Sequence, residues 1–234
     1  WSEDPSNSDT RFSRVRARNA LEALGALGLT AKTLSEVADN MASARAALDW
    51  YAFLGARDIA TVDSGDILFD LRQLRTFPEE VMRRLLIGAI GWITGADYPP
   101  RRTPLAAALD VIRESGSTTM GGCVVMRDGE TVRICREPQA VAAIEAQPGE
   151  IWDGRWRLNG PAEPGMTIRA LGLDALSLCP DWKSTGRPRT SLAATPAVWR
   201  GPDLAAAPQA GLGQGWVAEL TTDAEQFFAR LLSH

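Results

Sequence analysis

Four arginines lie close together near the start of the chain, in the segment Arg11-Phe-Ser-Arg-Val-Arg-Ala-Arg18. Each helical residue turns by about 100°, so Arg11, Arg14 and Arg18 would project within about 60° of one another, with Arg16 elsewhere. Three guanidinium groups on one ridge can bind the phosphates of a nucleic acid. The alternative is a solvated helix face, on which these arginines pair with acidic residues: Glu3, Asp4, Asp9 or Glu22.

Three further basic groups occur along the chain: Arg83 with Arg84, Arg101 with Arg102 after Pro99-Pro100, and Lys183 with Arg187 and Arg189 in a predicted polar loop. Each group by itself is more often surface decoration than a binding site. The formal net charge of −4 argues mildly against indiscriminate nucleic-acid binding. Local clusters nevertheless decide where a phosphate backbone can dock, so the arginine ridge stays the main candidate.

The residues needed for most covalent or metal chemistry are scarce. The only histidine is the last residue, His234, so no imidazole is placed to activate a serine or cysteine nucleophile. The three cysteines, Cys123, Cys135 and Cys179, form no CxxC pair, and we expect buried free thiols. The glycine pattern 211–215 lacks the Lys-Ser/Thr of a phosphate loop and is expected to be a loop. We therefore predict no catalytic, cofactor or metal site.

Eight tryptophans raise the possibility of base stacking. Trp152 and Trp156 are four residues apart and would share one face of a regular strand, with arginines opposite. Either face could meet RNA, or the two rings could form an aromatic pair in a small β-core. Trp50 and Trp92 lie in apolar helical segments, so we expect both in the core.

Helices are expected to position the first arginines. One is predicted from Phe12 to Leu27, and Thr30 caps a second that reaches about Leu54. In this second helix an apolar stripe recurs at spacings typical of a buried face: Leu34, Val37, Met41, Ala44, Leu48 and Tyr51. Thr76-Phe-Pro-Glu79 resembles a capping box for a third helix that ends at Gly95. A fourth helix is expected over about 103–114.

The character of the sequence changes after Ser115, where glycine, proline and tryptophan become frequent and apolar runs shorten. Asp128-Gly129 predicts a hairpin turn between strands over 123–127 and 131–135. Further strands are expected over 151–158, 166–170, 197–199, 204–206 and 215–220, before a short C-terminal helix. The prediction is an α+β fold, with a helical domain to residue 117 and a smaller β-rich domain over 118–234. No apolar run is long enough to cross a bilayer, so a cytoplasmic protein is expected.

An ordered set of motifs resembles one known family. Asp4-Pro-Ser-Asn7 followed by Arg14-Val-Arg-Ala-Arg18 and Leu21 resembles the junction of tRNA(Ile)-lysidine synthetases, where a D-x-S-N segment precedes an arginine-bearing helix. Later motifs are similar to those of the α-proteobacterial subgroup: 98–101, 121–123, 136–138 and Trp152-Asp-Gly-Arg-Trp156. The resemblance therefore spans nearly the whole chain.

The resemblance implies that residues 1–15 are the end of an ATP-binding domain that the chain lacks, and residues 16–117 a tRNA-binding domain. In the parent enzyme, ATP and Mg²⁺ would serve to adenylate the wobble cytidine of a CAU anticodon. L-lysine would then displace AMP to leave lysidine. For the present chain the resemblance implies contacts of Arg14 and Arg18, then Arg11 and Arg101, with tRNA(Ile), no cofactor and no catalysis.

Two other interpretations remain open. The chain could be a stand-alone RNA-binding protein, in which the arginine ridge has the same physical role. It could instead be a protein-interaction module, with solvated arginines and tryptophans in the core. Apolar surface left by a missing domain could also favour a homodimer.

Overall fold

The computed structural model describes residues 12–25, 27–96 and 102–232, without the side chains of Arg102 and Thr103. The chain divides into two units, residues 1–48 and 49–234, which are described separately. The eight helices of these ranges are α1 Ser13–Gly25, α2 Ala31–Ile59, α3 Leu71–Leu74, α4 Glu79–Thr94, α5 Arg102–Arg113, α6 Pro138–Val141, α7 Arg189–Ala193 and α8 Ala224–Arg230. The twelve strands are β1 Ala60–Asp63, β2 Asp66–Asp70, β3 Ser117–Met120, β4 Cys123–Asp128, β5 Thr131–Arg136, β6 Glu145–Ala146, β7 Ile151–Trp152, β8 Trp156–Asn159, β9 Met166–Ala170, β10 Pro196–Arg200, β11 Asp203–Ala206 and β12 Val217–Leu220.

The first unit is helical and almost entirely exposed in its described part. Thr30 caps α2 as predicted, because its Oγ1 accepts a hydrogen bond of 3.2 Å from the backbone N–H of Thr33. Val15 on α1 is the only residue of 12–25 and 27–48 that is fully buried. This part of the chain therefore has little core of its own.

The burial predicted for the six apolar residues of the second helix is wrong. Leu34, Val37, Met41 and Tyr51 are 45%, 51%, 66% and 46% exposed, and only Leu48 is half-buried. The periodicity correctly predicted a helix with one apolar face. A periodic pattern specifies the face but not the surface that covers it.

The second unit is built on a five-stranded antiparallel sheet in the order β1-β2-β5-β4-β3. The strand β1, which the sequence did not predict, follows α2 directly and turns into β2 through Ser64 and Gly65. Both residues have positive φ, 48° and 86°, as a tight two-residue hairpin requires. The predicted hairpin of β4 and β5 is confirmed, with Gly129 at φ 60° in its turn.

Helices α4 and α5 pack against this sheet, and α8 packs against α4. Gly95 ends α4 in the left-handed conformation, as predicted. The predicted capping box is wrong: α4 begins at Glu79 without a side-chain cap. The hydroxyl of Thr76 instead donates a 2.7 Å hydrogen bond to the carbonyl of Gln73, because Thr76 follows the end of α3.

Two smaller antiparallel sheets complete the unit, in the orders β11-β10-β9-β6 and β12-β8-β7. They enclose a core made of side chains from both: Trp152, Trp156, Leu158, Met166, Ile168, Val198, Ala206 and Trp216. The single strand predicted over 151–158 is wrong, since Trp152 and Trp156 face each other across a hairpin. The turn residue Asp153 has φ 48°, and Gly154 has φ 68°.

The α+β class is confirmed by these helices and antiparallel sheets. The boundary predicted between residues 117 and 118 falls inside β3, whose sheet also includes β1 and β2. The separate roles assigned to residues 1–15, 16–117 and 118–234 stay predictions. Within the described ranges no helix is both long and apolar enough to span a membrane.

Candidate nucleic-acid interface

Helix α1 carries the central part of the predicted arginine ridge. Arg14 and Arg18 are one helical turn apart and therefore lie on one face, and Arg16 projects from another. All three side chains are exposed. The Arg14 guanidinium lies over the ring of Phe12, 5.1 Å from its centroid. This stacking leaves the edge N–H groups of a guanidinium available for phosphate oxygens.

The other two predicted contacts, Arg11 and Arg101, lie outside the described residues. The described part of the ridge is therefore the pair Arg14 and Arg18. Their geometry can attract a phosphate backbone through charge and hydrogen bonds.

Arg83 and Arg84 form ion pairs instead of an open basic group. Glu80 accepts hydrogen bonds from Arg83 Nε at 2.6 Å and Nη2 at 2.5 Å, and Arg84 Nη2 lies 2.9 Å from the same carboxylate. Arg84 also donates to the buried Asp49. The hydrogen bond from Arg83 lowers the pKa of Glu80, and the same bond raises the pKa of Arg83. These arginines stabilise the protein body.

Arg187, expected in a polar loop, is buried in a polar network. Its Nη2 donates to Ser191 Oγ at 2.8 Å and lies 3.4 Å from Asp66 Oδ2, and its Nη1 donates to Gln209 at 3.1 Å. Its neighbours Lys183 and Arg189 are exposed. Of this third basic group, two side chains therefore face solvent and one joins α7 to the β1–β2 hairpin.

The centre of this network is Arg133, a residue that the sequence did not single out. Its Nη1 lies 2.8 Å from both Asp63 and Asp66, and its Nε donates to Asp128 at 2.9 Å. Burial acts to lower its pKa, but hydrogen bonds to Asp63 and Asp66 outweigh burial and raise it. The sequence does contain a signal for this network: an arginine in a predicted strand and aspartates next to predicted turns. Only the pairing of the strands, however, brings these residues together.

A second buried ion pair lies next to an arginine that contacts the β1–β2 hairpin. Arg136 donates to both oxygens of Asp153 at 3.0 Å, and Arg155 Nη1 donates to the carbonyl of Gly65 at 2.6 Å. Burial lowers the pKa of Arg155. The motif 152–156, which contributed to the family resemblance, therefore serves to anchor the β7–β8 hairpin to the first sheet.

The tryptophans divide between core and surface. Trp152 and Trp156 are buried, which favours their interpretation as a core pair over a stacking platform for RNA. Trp92 is also buried, as predicted, and its Nε1 donates to the carbonyl of Asp223. Trp50 was predicted in the core, but it is 53% exposed and stacked on Phe53 at 5.2 Å. The apolar residues around Trp50 predicted a buried helix, but they did not indicate which side of that helix is buried.

The thiols are unsuited to nucleophilic chemistry. Cys123, Cys135 and Cys179 are buried and free. Burial raises the pKa of Cys123 to about 12 and also raises the pKa values of Cys135 and Cys179. Because the thiolate is the nucleophile, these side chains are inert near neutral pH. Within the ranges that the structure describes, no three His, Cys, Asp or Glu residues cluster as metal ligands.

The fold and surface together define an α+β protein with exposed arginines on a helical segment and arginines paired with carboxylates in its body. No family model matches the chain. It is 52% identical over all its 234 residues to a tRNA(Ile)-lysidine synthase of Ruegeria pomeroyi, and it covers 56% of that protein. It is 32% identical to the Wolbachia pipientis wMel protein of the same name, over 78% of this chain and 44% of that protein.

The chain therefore belongs to the tRNA(Ile)-lysidine synthase family, the one that its motifs resemble, and corresponds to a C-terminal portion of its members. A Brucella anthropi member is 26% identical over 86% of the chain. The chain spans about half the length of these relatives.

Proposed function

We propose that the chain is the tRNA-binding portion of an ATP-dependent ligase that converts the wobble cytidine of tRNA(Ile) to lysidine in the cytoplasm. The observation that carries the proposal is the exposed pair Arg14 and Arg18 on one face of α1, in a chain whose relatives are named for this tRNA. Arg11 and Arg101 are proposed as additional contacts. Guanidinium groups would neutralise anticodon-stem or loop phosphates, while shape complementarity selects the tRNA.

Among the described residues, no set fits ATP or Mg²⁺. No cluster of metal-ligating side chains occurs in the described ranges, and residues 211–215 form a loop without a lysine. We therefore propose that adenylation of cytidine and attack by L-lysine both require the portion of the enzyme that this chain lacks. Incubation of the chain with ATP, Mg²⁺, L-lysine and tRNA(Ile) should yield no lysidine, and any lysidine found by nucleoside analysis would refute this.

RNA binding is tested by measuring the affinity for tRNA(Ile) at several salt concentrations. The protein used is the polypeptide that contains both this chain and the portion that it lacks, called here the longer polypeptide. Each lost phosphate contact lowers the slope of log affinity against log salt by about 0.7–0.9. The double variant Arg14→Ala/Arg18→Ala should therefore lower that slope by about 1.4–1.8 and weaken binding at low salt.

The matched control is Arg72→Ala, which removes another exposed arginine, located on α3. Its affinity and slope should remain those of the unmodified protein. Equal losses in both variants would indicate a general charge effect, and no loss in the double variant would rule out the ridge. If the unmodified polypeptide also fails to bind tRNA, a protein-interaction module becomes the better explanation.

A further inference from the structure

The first part of α2 is an amphipathic helix whose apolar face is uncovered. Leu34, Val37 and Met41 are 45%, 51% and 66% exposed, and Ala44 continues the same line. We call these four residues the α2 stripe. The opposite face is polar and is formed by Lys32, Glu36, Asp39 and Ser43, with an ion pair of 3.8 Å between Lys32 and Glu36.

Exposure of an apolar helix face of this kind to water is energetically unfavourable. Helices gain most of their stability from packing of the apolar face, and a short isolated helix is marginal in solution. Contiguous exposed apolar surface commonly marks an interaction site. The α2 stripe therefore has the character of an interaction surface.

The chemistry of the stripe disfavours RNA as its partner. Its four side chains carry no charge and no hydrogen-bond donor, whereas RNA backbones are bound mainly through cations and donors. In the described part of the same unit, three exposed arginines lie on α1, and a fourth, Arg45, follows the last residue of the stripe on α2. A protein surface of matching apolar character is the better partner.

We propose that the α2 stripe is the docking surface for the portion of the same polypeptide that this chain lacks. The chain covers 56% of the Ruegeria pomeroyi relative, which leaves 44% of that protein to supply a covering surface. A tethered portion reaches a high effective concentration at the stripe, on the order of millimolar for short linkers. A second copy of the chain has no such advantage.

Hydrogen exchange tests the proposal without relying on tRNA binding or catalysis. In the longer polypeptide, amides over residues 34–44 should exchange at least about tenfold more slowly than in the 234-residue chain, because docking suppresses local opening of the helix. Met41→Asp in the longer polypeptide should abolish that protection. Ser43→Asp, on the polar face, should keep it.

The other outcomes each overturn the proposal. Equal exchange rates in the two polypeptides would show that the α2 stripe is not covered in the longer polypeptide. Protection in the 234-residue chain that grows with protein concentration would identify a second copy. Protection that appears only when tRNA is added would identify RNA as the partner that covers the α2 stripe.

Photo-crosslinking provides an independent measurement if Met41→Asp perturbs folding. A benzophenone maleimide on Met41→Cys should crosslink within the longer polypeptide to residues absent from this chain, and the same label on Ser43→Cys should not. The three native thiols are buried and should remain unlabelled. Crosslinks from both positions, or from neither, would contradict the proposal.

Discussion

The arginines on α1 and the two arginines that contact Asp66 have opposite surroundings. Arg14, Arg16 and Arg18 are exposed on a helix with almost no core. Arg133 and Arg187 are buried, and both lie against the carboxylate of Asp66. A buried guanidinium contributes to stability only while its carboxylate partner is present, and an exposed one can exchange water for a ligand. The same residue type therefore stabilises the fold in one region and is exposed on a helix in the other.

The largest expected effect comes from Asp66→Ala. It removes an acceptor from Arg133 at 2.8 Å and from Ser191 at 2.5 Å, and leaves Arg187 without its nearest carboxylate. Breaking a buried ion pair by removing one partner lowers the free energy of unfolding by about 3–5 kcal/mol. Urea denaturation followed by tryptophan fluorescence measures the change.

Asp63→Ala is the matched control, because Asp63 pairs with the same arginine but its side chain is 32% exposed. We expect a loss of about 1 kcal/mol or less. Equal losses in the two variants would show that burial does not distinguish these carboxylates.

Core and surface tryptophans should separate in the same assay. Trp152 is fully buried and its Nε1 donates to the carbonyl of Ile144 at 2.9 Å. Trp152→Ala should therefore lower the free energy of unfolding by about 3–5 kcal/mol. Trp50→Ala, at a position that is 53% exposed, should lower it by less than about 1 kcal/mol. A larger loss for Trp50→Ala would contradict its exposed position.

A smaller effect is expected from the ion pair between Glu80 and Arg83. Because hydrogen bonding from Arg83 lowers the pKa of Glu80 below its ordinary 4.5, its stabilising contribution is present above that value. This contribution is lost as pH falls through the lowered pKa. Since both side chains are partly exposed, the contribution is at most about 1 kcal/mol.

Glu80→Gln should accordingly make the free energy of unfolding less dependent on pH below about 4.5, as followed by urea titrations at several pH values. Glu22→Gln, at an exposed position on α1, serves as the comparison. Unchanged acid dependence in Glu80→Gln would mean that Glu80 and Arg83 are not coupled in solution.

The smallest stability change is expected on α1. Arg14→Ala and Arg18→Ala remove exposed side chains, so each should alter the free energy of unfolding by no more than about 0.5 kcal/mol. The same denaturation assay checks this. A loss as large as that of Asp66→Ala would place these arginines among the structural ones and weaken the comparison between the two regions.

The sequence by itself determined much of the local structure. The Thr30 cap, the Gly95 stop and the hairpin at residues 128–129 were all predicted, because each depends on backbone preferences of a few neighbouring residues. The α+β class followed from the change in periodicity after Ser115. The motifs also identified the family. The helix that carries Arg14 and Arg18 was predicted as well, while their role in RNA binding remains a prediction.

Only the tertiary structure decided which side chains are covered and which charges meet. The α2 stripe looked like a core face but is exposed, and Arg187 looked like a loop residue but is buried. Asp66, Arg133 and Ser191 are far apart in sequence and converge through strand pairing and the packing of α7. Burial and ion pairing depend on these long-range contacts, whereas caps and turns depend on adjacent residues. Helical periodicity therefore defined the apolar face of α2, but not the surface that covers it.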